Sequence, residues 1–331
     1  MIAEWVRSAE VHVVAIPMRL PFRGITVREA VLVSGPAGWG EFAPFIEYDI
    51  AEASTWLAAA HASAHERWPE PRRDAVPCNV TVPAASPETA ARIVRDAAGT
   101  TVKVKVAEVG QDLGADETRV AAVREALDAT GRRDAHIRVD ANAGWSVPAA
   151  VAAIAVLDRA ARGLEYAEQP CASVEELAAL RRTVDVPIAA DESIRRAEDP
   201  LRVVAAEAAD VIVVKVAPLG GVRRAAEIVA ACGLPAVVSS AVDTAVGLAA
   251  GVALAAALDE LPYACGLGTG RLLESDIAEP PLLPDAGACL PVRRVAPDPD
   301  LLAVHAASPE RRAWWLARVV ACADYLDGAS G

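Results

Sequence analysis

Eight short β-rich segments, each separated from the next by a helix-length stretch, constrain this chain more than any other feature. They read CNVTVP (78–83), TVKVKV (101–106), HIRVD (136–140), LEYAE (164–168), PIAADE (187–192), VIVVKV (211–216), AVVSS (236–240) and YACGLG (263–268). From the fourth onward the segments start at 164, 187, 211, 236 and 263, a spacing of 23 to 27 residues. A strand, a loop and a short helix consume about that length. Between the segments, 87–98, 114–129, 148–161, 174–183 and 221–231 carry apolar residues every three or four positions, as amphipathic helices do. Alternating strands and helices predict a parallel sheet, and eight repeats predict closure into a (β/α) barrel. A doubly wound open sheet fits less well, because no early strand is followed by a Gly-rich phosphate loop.

The flanks read differently. Residues 10–17, 27–33 and the turn GPAGWGEFAP (35–44) predict an antiparallel sheet, and 50–68 predicts a helix. We expect an α+β domain over 1–76, completed by the C-terminal segment from about 290 to 331, and a barrel over 77–289. A final helix over 309–326 carries Trp314 and Trp315, which should pack on something already folded. The Ala- and Gly-rich stretch 245–258 is too short to span a membrane and predicts a helix packed inside the fold.

Composition narrows the partners. A net charge of −13 and a pI near 4.9 disfavour a broad phosphate-binding surface, so no nucleic-acid partner is expected. A small anionic substrate is still compatible, since local cations in a cleft can hold it. Met1–Arg7 contains Glu4 and lacks a long apolar run, which argues against a signal peptide and for a cytoplasmic protein without membrane attachment. The six cysteines form no C-x-x-C, so neither a disulfide framework nor a zinc site is expected. His61 and His65 have metal-like spacing, but Glu66 completes no zinc pattern.

Ligands bind at the carboxyl ends of barrel strands, so polar residues there are candidates for chemistry. Asp140 ends the third segment, Glu168 the fourth and Asp191 closes the fifth. Any one of these acids could cap the following helix. Three on successive strands would repel one another without a cation between them, and an all-oxygen donor set selects a hard ion, Mg²⁺ or Mn²⁺. Asn142, Gln169 and Glu192 add polar groups beside them. Glu165, three residues before Glu168, should face the other way and be structural.

Lysines stand inside two strands. Lys103 and Lys105 are two apart and should share a face, where mutual repulsion should depress the pKa of at least one. Lys105, nearer the carboxyl end, is the better-placed general base. Lys215 lies on the sixth segment, opposite the second across an eight-stranded ring. Solvated lysines on an edge strand are the alternative, but a Val-rich strand in a closed parallel barrel has no edge. A metal beside a lysine base is one way to stabilise an enediolate next to a carboxylate.

In order, K-x-K (Lys103, Lys105), D-x-N (Asp140, Asn142), E-Q-P (Glu168 to Pro170), D-E-S (Asp191 to Ser193) and K-x-x-x-x-G-G (Lys215, Gly220, Gly221) resemble the enolase superfamily, in its muconate-lactonizing-type branch. PMRLPFRGITVRE (17–29), GWGEFAP (38–44), CNVTVPA (78–84), SSAVDTAVGLAAG (239–251) and GLGTGRLL (266–273) are most similar to the o-succinylbenzoate synthase family within it. The resemblance implies Mg²⁺ ligation by Asp140, Glu168 and Asp191, Lys105 as base and Lys215 as a cation for the enediolate. It implies syn dehydration of 2-succinyl-6-hydroxy-2,4-cyclohexadiene-1-carboxylate to 2-succinylbenzoate, in menaquinone biosynthesis. It implies an α+β domain capping the barrel mouth, with the loop 19–28 and residues 42–48 closing over the succinyl group. Lys103, Arg23, Arg28, Asn142, Ser239, Ser240 and Gly268 are then expected around the substrate.

Two other readings stand beside this one. An N-acylamino acid racemase or dipeptide epimerase would use the same metal and both lysines. Dipeptide epimerases resembling this branch carry D-x-D at the eighth strand to hold the substrate ammonium, whereas YACGLGTG has no acid. A non-catalytic enolase-like protein would be expected to have lost a lysine or a metal acid. All five are present, and no obligatory protein partner is implied.

Overall fold

The computed structural model describes residues 1–22, 24–195 and 200–329. A short helix α1 (Ile2–Ser8) precedes an antiparallel sheet in the order β1 (Val11–Phe22), β2 (Ile25–Gly35), β3 (Gly38–Phe42). Helix α2 (Ile50–His65) begins where Asp49 accepts a hydrogen bond from the Glu52 amide at 2.8 Å, a side-chain cap that satisfies an otherwise orphaned donor. It packs so tightly on β3 that a Cβ on Gly40 would lie 2.0 Å from the Ala60 carbonyl oxygen. Only glycine fits there.

A two-stranded pairing joins β4 (Ala75–Pro77) antiparallel to β12 (Cys289–Pro291). The larger sheet runs β5 (Val80–Val82), β6 (Thr101–Lys105), β7 (His136–Asp140), β8 (Leu164–Glu168), β9 (Ile188–Ala190), β10 (Val211–Val214) and β11 (Ala236–Val238), each strand parallel to its neighbours. Helices α3 (Pro87–Arg95), α4 (Leu113–Ala129), α5 (Val147–Ala161) and α6 (Val174–Arg181) follow the strands in turn. Short α7 (Glu192–Arg195) and α8 (Arg202–Ala205) follow β9, then come α9 (Val222–Cys232) and α10 (Ala245–Ala257). The starts are set locally: Ser86 and Asp112 cap α3 and α4, and Ser173 with Glu176 forms a capping box on α6. Helix α10 is buried along nearly its whole length, as a stretch apolar all round must be.

The predicted eighth strand shrinks to two residues. Cys265 bridges to Cys78 at one edge of the sheet and Gly266 to Ser239 at the other, both in parallel sense. The Asn79 amide donates to the Cys265 carbonyl at 2.9 Å and the Gly266 amide to that of Val238 at 2.8 Å. These bonds close the ring. Pro262 lacks a donor before this segment, glycines weaken it and a 3₁₀ turn over Gly268–Leu272 ends it, so a longer strand cannot form. A Cβ on Gly266 would sit 2.4 Å from Ser239 Oγ.

Inside the ring, Tyr166, Ala189, Val211, Val213 and Val237 fill an apolar layer. The chain then returns through α11 (Pro299–Val304) and α12 (Pro309–Ala329). Trp315 on α12 is fully buried, meets Phe42 edge-on at 5.9 Å and donates to Glu29 at 3.1 Å. Asp327 receives the Ile2 and Ala3 amides, so α12 joins the layer formed by the first sheet, α1 and α2.

Candidate active site

The acids and lysines singled out in the sequence meet inside the ring. Pairing across β6, β7 and β8 sets Lys105 level with Asp140 and Asp140 level with Glu168, and Asp191 follows β9 directly. All three acids are at most 2% exposed, and Lys103, Lys105 and Lys215 are at most 9% exposed. Strands β6 and β10 are four places apart in an eight-place ring, so Lys105 and Lys215 enter from opposite sides. Lys103 Nζ bridges Glu168 (2.9 and 3.0 Å) and Asp140 (3.3 Å). Lys105 Nζ donates to Asp140 at 2.5 Å and Asn142 at 2.6 Å, and Lys215 Nζ donates to Asp191 Oδ1.

The electrostatics differ from the sequence expectation at Lys103. Burial opposes its charge, but the Glu168 and Asp140 carboxylates outweigh burial and hold it above the ordinary lysine value. The repulsion expected within K-x-K is overridden by these acids. The depressed lysine is Lys215, pushed down by burial despite Asp191, with Arg195 adding to the effect. Burial would raise all three acids. The Lys105 and Lys103 ammoniums hold Asp140 well below the usual range, and Lys215 with Arg195 holds Asp191 at about 2. Glu168 goes the other way, to about 7, because burial and the Asp140 charge exceed the effect of Lys103.

The residues behind the acids hold unusual backbone. Asn142 has φ 43° and Gln169 φ 38°, a region that asparagine tolerates and glutamine rarely visits. Gln169 compensates by hydrogen bonding: its Oε1 accepts from the Asp191 amide at 2.9 Å and the Ser193 amide at 3.2 Å, and its Nε2 donates to Ser193 Oγ at 2.8 Å. It thereby fixes the turn that carries Asp191.

A cavity of about 40 Å³ lies over this cluster, lined by the lysines, Asp140, Asn142, Asp191, Ser239 and Ser240. Phe22, Phe45 and Trp56 reach it from the first sheet and α2. Gly268 does not line it and opens instead on a cavity of about 390 Å³ beside Asn79, Arg92 and Arg271. Gly266 and Thr269 take its place. The wider cavity holds none of the acids or lysines. Arg28 does not line the smaller cavity but is buried behind its lining residue Val242, donating to the Val242 carbonyl at 2.9 Å and to the Ala43 carbonyl. Arg23 lies outside the described residues.

Glu165 follows a different rule from the one expected. It is the extra residue of a bulge, since Ile137 pairs with Leu164 but Arg138 with Tyr166. It binds the buried guanidinium of Arg138, which stacks 4.7 Å from the Tyr166 ring. Its role here is structural. His61 and His65 stack at 4.1 Å against Trp5. The six cysteines are free.

Sequence reasoning missed Arg195 and Thr81, whereas Phe22 belongs to the loop 19–28 expected to close over the substrate. Arg195 donates to Asp191 at 3.2 Å, Glu192 at 2.6 Å and the Tyr48 hydroxyl at 2.8 Å. Its position one turn after Asp191 was the available signal.

The donor set suits a hard cation: buried oxygens from three successive strands, with one ammonium already bridging two of them. Among the described residues no three acidic, histidine or cysteine side chains converge closely enough to grip one ion as they stand, and lysine ammoniums hydrogen-bond all three carboxylates.

Comparison with known proteins gives matches over most of the chain. Residues 86–297 match the model described as enolase C-terminal domain-like, and 13–64 match enolase N-terminal domain-like. A protein of Thermobifida fusca named o-succinylbenzoate synthase is 60% identical over 307 residues, 93% of this chain and 94% of that protein. One of the same name from Mycolicibacterium smegmatis is 57% identical, with 94% of each chain covered. Among solved structures, muconate lactonizing enzyme from Pseudomonas fluorescens superposes with TM-score 0.74 at 21% identity, over 91% of this chain and 98% of that one. N-succinyl Arg/Lys racemase from Bacillus cereus gives TM-score 0.74 at 18% identity, over 90% and 97%. Likeness at these identities speaks to fold alone.

Proposed function

Because this chain belongs to the enolase superfamily, we infer that it carries out the reaction of its o-succinylbenzoate synthase relatives, as a lyase of menaquinone biosynthesis. The substrate is 2-succinyl-6-hydroxy-2,4-cyclohexadiene-1-carboxylate and the product 2-succinylbenzoate. The observation that carries the site assignment is the opposed pair Lys105 and Lys215, both lining one cavity with Asp140 and Asp191, while Glu168 is buried against Lys103. Superfamily members use a divalent metal, and we assign Mg²⁺ here, held by Asp140, Glu168 and Asp191. When bound, the ion supplies positive charge beside the substrate carboxylate and favours the enediolate.

The chain's own residues do the rest. Lys105 takes the proton from the carbon next to the carboxylate. Lys215, opposite, stays cationic and offsets the charge that develops on the carboxylate oxygens. The C–O bond to the ring hydroxyl then breaks on the same face, the Lys105 ammonium returns the proton, and one water leaves as the ring becomes aromatic. Lys103 bridges Glu168 and Asp140 and offsets their mutual repulsion, and Asn142 orients Lys105. Ser239 and Ser240 form the far wall.

We also assign residues 1–76, with the segment from about 290 onward, to a capping domain over a barrel of 77–289. The partner is a small carboxylate. Among the described residues no helix is long and apolar enough to cross a membrane.

The test is to assay the purified protein with the cyclohexadiene and with an N-succinylamino acid, with Mg²⁺ and in excess chelator. Dehydration should have the far higher kcat/KM and vanish on chelation. Racemisation of equal or greater efficiency would overturn the synthase reading, and full activity in chelator would overturn the metal assignment.

A further inference from the structure

The two lysines are joined by a continuous run of hydrogen bonds around the rim. Lys215 donates to Asp191, Arg195 donates to Asp191 and Glu192, Asn142 donates to Glu192 at 3.2 Å, and Lys105 donates to Asn142. Arg195 is the middle of that run, and its third contact leaves the barrel. It ends on the hydroxyl of Tyr48, which follows the first sheet. The Tyr48 ring is only 3% exposed and is wedged between Phe45 (5.7 Å) and Trp56 (6.2 Å), while Arg318 on α12 donates to the Tyr48 carbonyl. These contacts to Tyr48 come from the N-terminal and C-terminal layers.

We propose that Arg195 is a positioning residue for the reaction, fixing the Asp191 and Glu192 carboxylates between the two lysines, and that Tyr48 aims its guanidinium from the capping layer. The proposal rests on the functional reading above. A planar fork donating to three oxygens fixes their mutual geometry, which the rotatable ammonium of lysine cannot do. If Arg195 only neutralised buried acids, any cation at 195 would serve, and the Tyr48 hydroxyl would act independently of it.

The test is a double-mutant cycle with Arg195→Lys and Tyr48→Phe on the full chain. Loss of a group that orients a ligand-bearing carboxylate costs roughly 10- to 100-fold. Arg195→Lys should lower kcat about 100-fold with KM changed less than about threefold, and Tyr48→Phe should lower kcat about tenfold. Added to Arg195→Lys, Tyr48→Phe should have less than about a twofold further effect, since its target is already gone. Equal effects of Tyr48→Phe in both backgrounds, or near-native kcat in Arg195→Lys, overturn the proposal. If Arg195→Lys fails to fold by near-ultraviolet circular dichroism, Tyr48→Phe, which loses one oxygen, decides alone, and native kcat there refutes it. Should the unmodified protein turn over neither test substrate, the functional reading has failed. Arg195 is then judged by whether Arg195→Lys halves or better the rise in Tm caused by Mg²⁺, and an undiminished rise overturns its role.

Discussion

At the residue scale, the burial of like charges gives measurable consequences. Glu41 on β3 is 6% exposed and accepts hydrogen bonds from the Thr244 hydroxyl at 2.6 Å and the Gly247 amide at 2.9 Å. Burial and the neighbouring Asp243 nevertheless push it up to about 8. A carboxyl raised on folding contributes stability that is complete below its unfolded value, near about 4.3, and is lost as pH climbs through the folded value. Tm should therefore fall between about pH 5 and 9, and Asp243→Asn, which removes the neighbouring charge, should flatten that fall. A wild-type slope in Asp243→Asn would contradict the account. At the reaction centre, Lys105→Ala and Lys215→Ala should each lower kcat by roughly 100-fold or more, measured by steady-state kinetics on folded protein. The lysines were legible because a charged residue inside a Val-rich strand contradicts its surroundings, and the acids because one recurs at the carboxyl end of three successive strand segments. Arg195 and Thr81 carried no such signal, and the tie of Arg195 to Tyr48 joins residues far apart in the chain. The pKa ordering of Lys103 and Lys215 was illegible for the same reason, since it depends on which carboxylate each ammonium touches.

At the scale of elements, strand and helix periods located most of the ring, and the departures have local causes. The eighth strand shrank because Pro262 and the glycines at 266 and 268 cannot sustain a ladder, although its two bridges still close the sheet. The bulge at Glu165 escaped notice because alternation assumes an unbroken register, and one inserted residue reverses every inference past it. Helix α1 and the β4–β12 pair were too short to announce themselves by periodicity. The contact of β3 with α2 allows a sharp prediction. Gly40→Ala forces a methyl group to within 2.0 Å of a backbone oxygen, so the sheet and helix must separate, at a cost of about 1–3 kcal/mol or more. Denaturant titration should show the midpoint falling with little change in slope. An unchanged midpoint would mean that this layer is looser than its geometry indicates.

At the scale of the molecule, residues far apart in the chain share one layer, with α12 closing a core begun by β2 and β3. Trp315→Ala removes the largest buried side chain of that helix and should cost roughly 3–5 kcal/mol. The measurement is Tm by calorimetry, with a drop on the order of 10 °C expected. Kinetics should suffer less than stability, since Trp315 is not among the residues lining the cavity. That cavity, at about 40 Å³, has room for a few water molecules and not for a cyclohexadiene bearing a succinyl arm. Phe22 stands 5.3 Å above the Lys105 ammonium and helps to shut it. We predict that each turnover displaces this segment twice, once to admit substrate and once to discharge product, and so carries a transit time. If that transit sets the pace, kcat should fall in proportion to the viscosity of the medium as sucrose is added, whereas chemistry-limited turnover would be indifferent to it.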